Sequence, residues 1–228
     1  MITFSSSVEA ERKTGVFIVL EGLDGCGTTT QAALLKGWFG GDGAVFGKCA
    51  ATFEPTPGPA GNVARMALNH RVNLDPKTVA LLFAADRADH VFKTDDGRQE
   101  PGIAHLLTQG VHVVSDRYVL SSLAYQSLDL PLEWVFQINS QVIPPDLTVY
   151  LDVDPMVASD RLRRGRNHED MFEDVDTQTK VRERYEEAIS LLLSHGHTIR
   201  RVDANQSPDG VHRDILHAIL PLLKSRRG

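Results

Sequence analysis

The sequence predicts an α/β fold in which a five-stranded parallel sheet carries helices on both faces. Short apolar runs alternate with longer amphipathic stretches, several runs are apolar at nearly every position, and proline stands near the start of several amphipathic stretches. Near-continuous apolar runs are what strands covered on both faces require, and early proline is a helix-start signal. Strands are expected at residues 16–20, 48–53, 111–115, 147–151 and 198–202, of which the first, third and fourth are the near-continuous runs. Helices are expected at 29–39, roughly 62–68, 76–92, 101–109, 132–141, 155–164, 177–195 and 208–223. Between them, 40–43 and 55–61 are rich in glycine and proline and read as loops. Residues 163–176 are mostly polar and charged, with Met171, Phe172 and Val175 as the large apolar side chains. They form either a lid or a solvated loop between two helices.

A length of 228 residues suits one α/β domain, here over 15–228, behind a disordered leader over 1–14. The formal net charge of -6 and a pI near 5.8 argue against broad electrostatic binding to nucleic acid. An anionic ligand must therefore meet a local basic site. Cys26 and Cys49 have no metal-type spacing, and one lies in a glycine-rich loop, so a reducing compartment is expected. The leader has no apolar run of signal-peptide length and no later segment could span a bilayer, so a cytoplasmic protein without membrane association is expected.

After the first strand comes Glu21-Gly22-Leu23-Asp24-Gly25-Cys26-Gly27-Thr28-Thr29-Thr30-Gln31, followed by an amphipathic helix. A phosphate-binding P-loop occupies this strand-to-helix position, which extends the fold prediction to a three-layer P-loop NTPase fold. Gly22, Gly25 and Gly27 would let backbone N–H groups converge on a phosphate, with the helix N-terminus adding partial positive charge. Thr29 holds the Ser/Thr position that ligates Mg²⁺, but the lysine position holds Thr28. A neutral hydroxyl cannot replace a cation bonded to the β- and γ-phosphates, and uncompensated loss of such a charge costs about 10³ to 10⁵ in turnover. A glycine-rich turn that binds nothing has the same local signature.

Five further pieces accompany the loop. The segment Glu-Gly-x-Asp-Gly-x-Gly at 21–27 precedes Phe-Ala-Ala-Asp-Arg-Ala at 83–88 and Asp-Arg-Tyr at 116–118. Glu54-Pro55, Ser121-Ser122-Leu123-Ala124-Tyr125-Gln126 and Pro-Asp-Leu-Thr-Val-Tyr-Leu-Asp at 145–152 stand at matching distances. Over roughly 15–205 the chain resembles the thymidylate kinases, P-loop nucleoside-monophosphate kinases. The resemblance implies transfer of the γ-phosphoryl group of ATP to dTMP with Mg²⁺, and a homodimer.

It also implies roles. ATP would lie on Gly22, Asp24, Gly25, Cys26, Gly27, Thr28, Thr29 and Thr30, with Arg163 above it. Mg²⁺ would be held by Thr29, Asp24 and Asp116. Phe83 would stack on thymine and Arg87 would bond its carbonyl edge, with Ser122 and Gln126 lining the base pocket and Glu54 and Pro55 beside it. Tyr125 would crowd the 2′ position, Arg117 would hold the dTMP phosphate, and Arg65 is a further candidate for that phosphate. Asp24, Arg117, Arg164 and Arg166 would be catalytic, the last two within an arginine-bearing lid that, with Arg161 and Arg163, is the natural compensation for Thr28. Two departures stand beside the missing lysine: Phe53 where many relatives carry arginine, and a short lid.

On the helix over 76–92, helical periodicity places Leu81, Ala85, Ala88 and Phe92 on one apolar stripe, expected to face the core, with Phe83 and Arg87 opposite. Two other functions remain open at the level of sequence. One is a nucleotide-binding module that does not catalyse, motivated by Thr28; the other is a kinase for another pyrimidine deoxynucleotide such as dUMP.

Overall fold

β1 (Phe17–Gly22) is buried along its whole length, as a strand with only apolar side chains before its terminal Glu-Gly should be. Each of its large side chains contributes about 1.5–3 kcal/mol by leaving water. The computed structural model describes residues 14–94, 101–165 and 175–226. After β1 come α1 (Thr28–Gly40), a 3-10 turn (Ala44–Phe46), β2 (Cys49–Phe53), α2 (Pro59–Leu68), α3 (Pro76–Phe92), α4 (Ile103–Thr108) and β3 (His112–Asp116). The order continues with α5 (Val119–Gln126), α6 (Leu132–Ile138), β4 (Leu147–Asp152), α7 (Pro155–Gly165), α8 (Val175–Ser194), β5 (Ile199–Asp203) and α9 (Pro208–Ser225).

The five strands form one parallel sheet in the order β2-β3-β1-β4-β5. The buried core is centred on β1, β3 and β4, while β2, an edge strand, is only half-buried. Helices pack on the sheet in the manner of a P-loop NTPase fold: α1 contacts β1, β2, β3 and α9, and α5 contacts β1 and α8. β1 and β3 are neighbours whose onward connections diverge, β1 leading to β2 beyond β3 and β3 leading to β4 beyond β1. Open α/β sheets place ligands at the carboxyl ends of such a pair.

Proline opens α2, α3, α7 and α9, where its missing N–H costs no hydrogen bond. α2 begins at Pro59, so part of the expected 55–61 loop is helical, and α6 stops at Ile138, short of 141. α5 was not expected at all. From Val119 to Ala124 every residue of it is buried, so it has no polar face and produces no amphipathic period.

α3 reverses the expected orientation. Leu81 is 50% and Phe92 40% exposed, and Ala85 and Ala88 are exposed with them, whereas Ala80, Asp86, Arg87, His90 and Val91 are buried. The inward face is polar because it meets buried polar partners: Glu54 faces Arg87 and His90, and Asp86 accepts from the Thr56 N–H at 2.7 Å and its hydroxyl at 2.5 Å. The leader up to residue 13 and most of the 163–176 segment, Arg166 included, lie outside the described residues.

Candidate functional site

β1 delivers its last residues into a loop that turns directly into α1. At Gly27 φ is 102°, a left-handed value that disfavours a side chain, and a Cβ added there would meet no atom within 4 Å. The loop is thus open where a phosphate would approach. Gly27 is followed by α1 with no side-chain cap on its first N–H groups, which leaves those donors and the helix's partial positive charge free for an anion. At Gly25, by contrast, an added Cβ would lie 2.5 Å from the Ala158 carbonyl oxygen, because α7 presses on the loop from the other side.

Two cavities flank this loop. The larger, about 690 Å³, is lined by loop residues 24–31, by Arg117, by Arg161 and Leu162 of α7, and by Gln206, Pro208 and Val211 around the start of α9. The smaller, about 200 Å³, brings together Glu54, Pro55, Phe83, Arg87, Ser122, Tyr125 and Gln126, with Leu68, Tyr118 and Ser121 completing its wall. Asp24 and Arg117 line both. The two cavities therefore share one carboxylate and one guanidinium at their junction.

Arg117 is fixed there by the surrounding fold. It has φ 71°, a backbone conformation that costs a non-glycine residue of order 1–3 kcal/mol and persists only where its surroundings hold it. Its Nη1 donates to the Gly22 carbonyl at 2.9 Å, Ser121 Oγ at 3.0 Å and Tyr185 Oη at 3.3 Å; its Nη2 donates to Asp24 Oδ1. The guanidinium lies 5.5 Å from the Tyr125 ring centroid, and the Tyr125 hydroxyl accepts from the Asp24 N–H at 3.1 Å. Beneath it, fully buried Glu21 accepts from the N–H of Tyr118 and of Ser121 and from the Ser121 hydroxyl. Burial raises the Glu21 pKa above the usual carboxylate value, and the Ser121 hydroxyl and Arg117 offset part of that rise.

The smaller cavity is held by a network of buried hydrogen bonds. Arg87, 1% exposed, donates from Nε to Glu54 Oε2 at 2.9 Å, from Nη2 to the Tyr118 carbonyl at 3.0 Å and Ser122 Oγ at 2.9 Å, and from Nη1 to Asn139 Oδ1. Four of its five N–H groups are committed, which leaves one on Nη1. Glu54 is held from its other oxygen by His90 Nδ1 at 3.0 Å, and His90 Nε2 meets Thr52 Oγ1 at 2.6 Å.

Thr29 and Asp116 sit together, the Thr29 hydroxyl donating to Asp116 Oδ2 at 2.5 Å, while Asp116 Oδ1 is buried with no hydrogen-bond partner among the described residues. A carboxylate oxygen left over beside a hydroxyl suits a hard divalent cation or its water shell. No group of three or more His, Cys, Asp or Glu side chains that could hold a metal ion occurs among the described residues.

Of the residues expected to bind ligands, the two cavities gather most; Asp116 lines neither and reaches the larger one through Thr29. Gly22 contributes its carbonyl to Arg117 and Tyr185 and lines neither cavity. Arg65 lines neither; its Nη2 donates to the Pro55 and Thr56 carbonyls, and its guanidinium lies 6.0 Å from the ring of half-exposed Phe53. Arg163 and Arg164 are exposed at the end of α7, Arg163 paired with Asp160 at 3.4 Å. Burial pushes the Cys26 thiol up to about 11, which makes it unreactive near neutrality. Sequence reasoning missed Glu21, Asn139, Tyr185 and Gln206, which lie outside the short motifs or were given no role within them.

Fold and loop together define a P-loop nucleotide-binding protein with two adjoining ligand cavities. The family model described as thymidylate kinase matches residues 20–215. A probable thymidylate kinase of Thermococcus gammatolerans is 37% identical over 215 residues, covering 89% of this chain and 94% of the relative. One of Pyrococcus abyssi is 39% identical over 209 residues, again covering 89% and 94%, and one of Methanococcus maripaludis 36% over 212, covering 90% and 94%. The chain belongs to the thymidylate kinase family, and so is a nucleoside-monophosphate kinase.

Proposed function

We propose that the protein moves the γ-phosphoryl group of ATP onto dTMP, giving ADP and dTDP. The observation that carries this is the junction: Asp24 and Arg117 line both the amide-rich donor cavity and the aromatic acceptor cavity, so two nucleotides would meet end to end there. The loop amides and the α1 N-terminus take the ATP phosphates, with Thr28, Thr29 and Thr30 at the helix start. In the acceptor cavity Phe83 offers a π-face to thymine and Arg87 its remaining N–H to the carbonyl edge, with Ser122, Gln126, Glu54 and Pro55 around the base. Tyr125, held by its bond to Asp24, stands where a ribose 2′-hydroxyl would project. Arg117 takes the dTMP phosphate, one of whose oxygens bonds to the γ-phosphorus as the bond to the bridging β-phosphate oxygen breaks. Catalysis on these terms is positioning and charge stabilisation.

Mg²⁺, bound to the donor phosphates, would neutralise charge there, with Thr29, Asp116 and Asp24 as its protein-side partners. Arg164 and Arg166, with Arg163, belong to the lid that would close over ATP. The test is dTDP formation from ATP, dTMP and Mg²⁺, with kcat/KM compared across dTMP, dUMP and dCMP. A preference for dUMP or dCMP moves the substrate to another pyrimidine, and dTMP binding without product under any donor, metal or pH leaves a non-catalytic binding module.

A homodimer accounts for the outward apolar stripe of α3, Leu81, Ala85, Ala88 and Phe92, which adjoins α2 with exposed Val63 and Met66. Leu81→Glu is expected to convert the dimer to monomer in sedimentation velocity. A cytoplasmic site of action accords with the two free thiols, Cys26 and Cys49. No helix among the described residues is long and apolar enough to cross a membrane.

A further inference from the structure

We propose that Tyr185 is a positioning residue for phosphoryl transfer, its hydroxyl setting the distance between the phosphate loop and Arg117, a role that rests on the thymidylate kinase reading. Tyr185 stands on α8, an element none of whose described residues lines either cavity. Fully buried, it brings one oxygen to three groups of the junction. That hydroxyl donates to the Gly22 carbonyl at 2.8 Å, meets Ser121 Oγ at 2.9 Å and accepts from Arg117 Nη1 at 3.3 Å. Gly22 ends β1 and opens the donor loop, Arg117 follows β3, and Ser121 lies in the first turn of α5. One phenol thus ties the loop to the guanidinium that both cavities share.

A tyrosine suits this task because its reach is fixed. Arg117 also donates to the Gly22 carbonyl directly, but its side chain turns about several single bonds, whereas a rigid ring places a tyrosine hydroxyl with little freedom to lose. The ring is clamped as well: its centroid lies 5.1 Å from that of Tyr150 on β4 and 6.1 Å, edge on, from that of Tyr125. Tyr125 in turn accepts from the Asp24 N–H, so α8 reaches both residues of the junction. Burial, with Glu21 close by, holds the phenol well above its usual pKa, so the hydroxyl keeps the proton that it gives to Gly22. Removing the hydroxyl strands none of its partners. The Gly22 carbonyl keeps Arg117, Arg117 keeps Ser121 and Asp24, and the Ser121 hydroxyl keeps Glu21. What goes is the register between loop and guanidinium, and a misplacement of about 1 Å can cost about 10² in rate.

Tyr185→Phe removes that oxygen alone, and Tyr150→Phe is its control, because the Tyr150 hydroxyl is buried with no hydrogen-bond partner among the described residues and its ring packs on that of Tyr185. Parent and variants are titrated by calorimetry with dTMP and, separately, with a non-hydrolysable ATP analogue in Mg²⁺, and single-turnover dTDP formation is followed with both substrates saturating. The rate constant belongs to folded molecules, so partial unfolding lowers the amount of product formed and not the constant. Tyr185→Phe is expected to lower that constant by about 10- to 10²-fold with both affinities within about threefold, and Tyr150→Phe to leave all three within about twofold. A Tyr185→Phe constant within about threefold of the parent, affinities that fall as far as the constant, or an equal loss in Tyr150→Phe would each overturn the proposal. Should Tyr185→Phe fail to fold, para-fluorophenylalanine at that position, which fills the hydroxyl's space without its proton, takes its place under the same thresholds. A parent that makes no dTDP defeats the kinase reading and the positioning role with it, whereas a parent no faster than Tyr185→Phe defeats the positioning role alone.

Discussion

On the acceptor side, Arg87 reaches its cavity already bonded to a carboxylate, a carbonyl, a hydroxyl and an amide, all buried; on the donor side, the loop offers backbone N–H groups and hydroxyls and no cation of its own. On the proposed function the smaller cavity would recognise one edge of one base, since a site whose buried polar groups expect a partner rejects ligands that lack it. The larger cavity would read a feature shared by every nucleoside triphosphate, the phosphate chain. On that reading, recognition is rigid where the base must be chosen and looser where only charge is needed.

The largest effect is expected where the two sides join. Arg117→Ala removes the guanidinium shared by both cavities, and turnover should fall by about 10³ to 10⁵, as for other single cations in phosphoryl transfer. Both dTMP binding by calorimetry and single-turnover dTDP formation should suffer. A variant that loses only dTMP affinity, with single-turnover rate intact at saturation, would break the picture of a shared junction and confine Arg117 to the acceptor.

Next comes Arg87→Met, which strands buried Glu54 without its guanidinium. Leaving one member of a buried ion pair costs about 3–5 kcal/mol, so urea denaturation should show a loss of that order together with lost dTMP binding. Arg164→Ala, on an exposed α7 position, should leave stability within about 0.5 kcal/mol. The pair sharpens the contrast directly, because a stability loss of the same size in both would show that the donor side is as tightly wired as the acceptor side.

How far the sequence reveals these two sides differs in the same way. The five strands and eight of the helices follow from apolar runs, periodicity and proline, and the loop follows from its glycines, while Phe83, Arg87, Asp116 and Arg117 stand in short motifs that gain meaning through the family resemblance. α5 escapes because a helix buried all round has no polar face to mark it. The outward stripe of α3 misleads for the complementary reason: its polar inward face is satisfied by Glu54, Thr56, Ser122 and Asn139, all of them 30 or more positions away along the chain. Tyr185 and Gln206 take their places through convergence of α8 and the β5–α9 connection on the loop, which has no linear signal.

A smaller effect is expected from pH acting on Glu21 under the junction. Burial raises its folded pKa above the unfolded value of 4.5, so the folded state keeps a proton that the unfolded chain releases. That contribution to stability is complete below 4.5 and disappears as pH rises through the folded pKa. Glu21→Gln keeps an oxygen for the Tyr118 and Ser121 N–H groups and lets the Ser121 hydroxyl turn toward Tyr185. Urea denaturation from pH 4.5 upward should therefore fall less steeply with pH in the variant, and identical slopes would mean that Glu21 does not titrate differently on folding.

The smallest effect is expected inside the loop itself, at Cys26. Its side chain is buried against Gly22, where a Cβ would lie 2.7 Å from the sulfur. Burial pushes the thiol up to about 11, and the opposing influence of Arg117 is smaller. At pH 8 about one thiol in a thousand is ionised on that value, so alkylation by iodoacetamide should be slow in the native protein and fast after unfolding. If the loop binds phosphate through its backbone, Cys26→Ser should change kcat/KM for ATP by less than about threefold, since the serine hydroxyl fits the same space and the N–H donors are untouched. A loss of tenfold or more would mean that a loop side chain carries part of the recognition, and the donor side would then resemble the acceptor side more closely than its open geometry indicates.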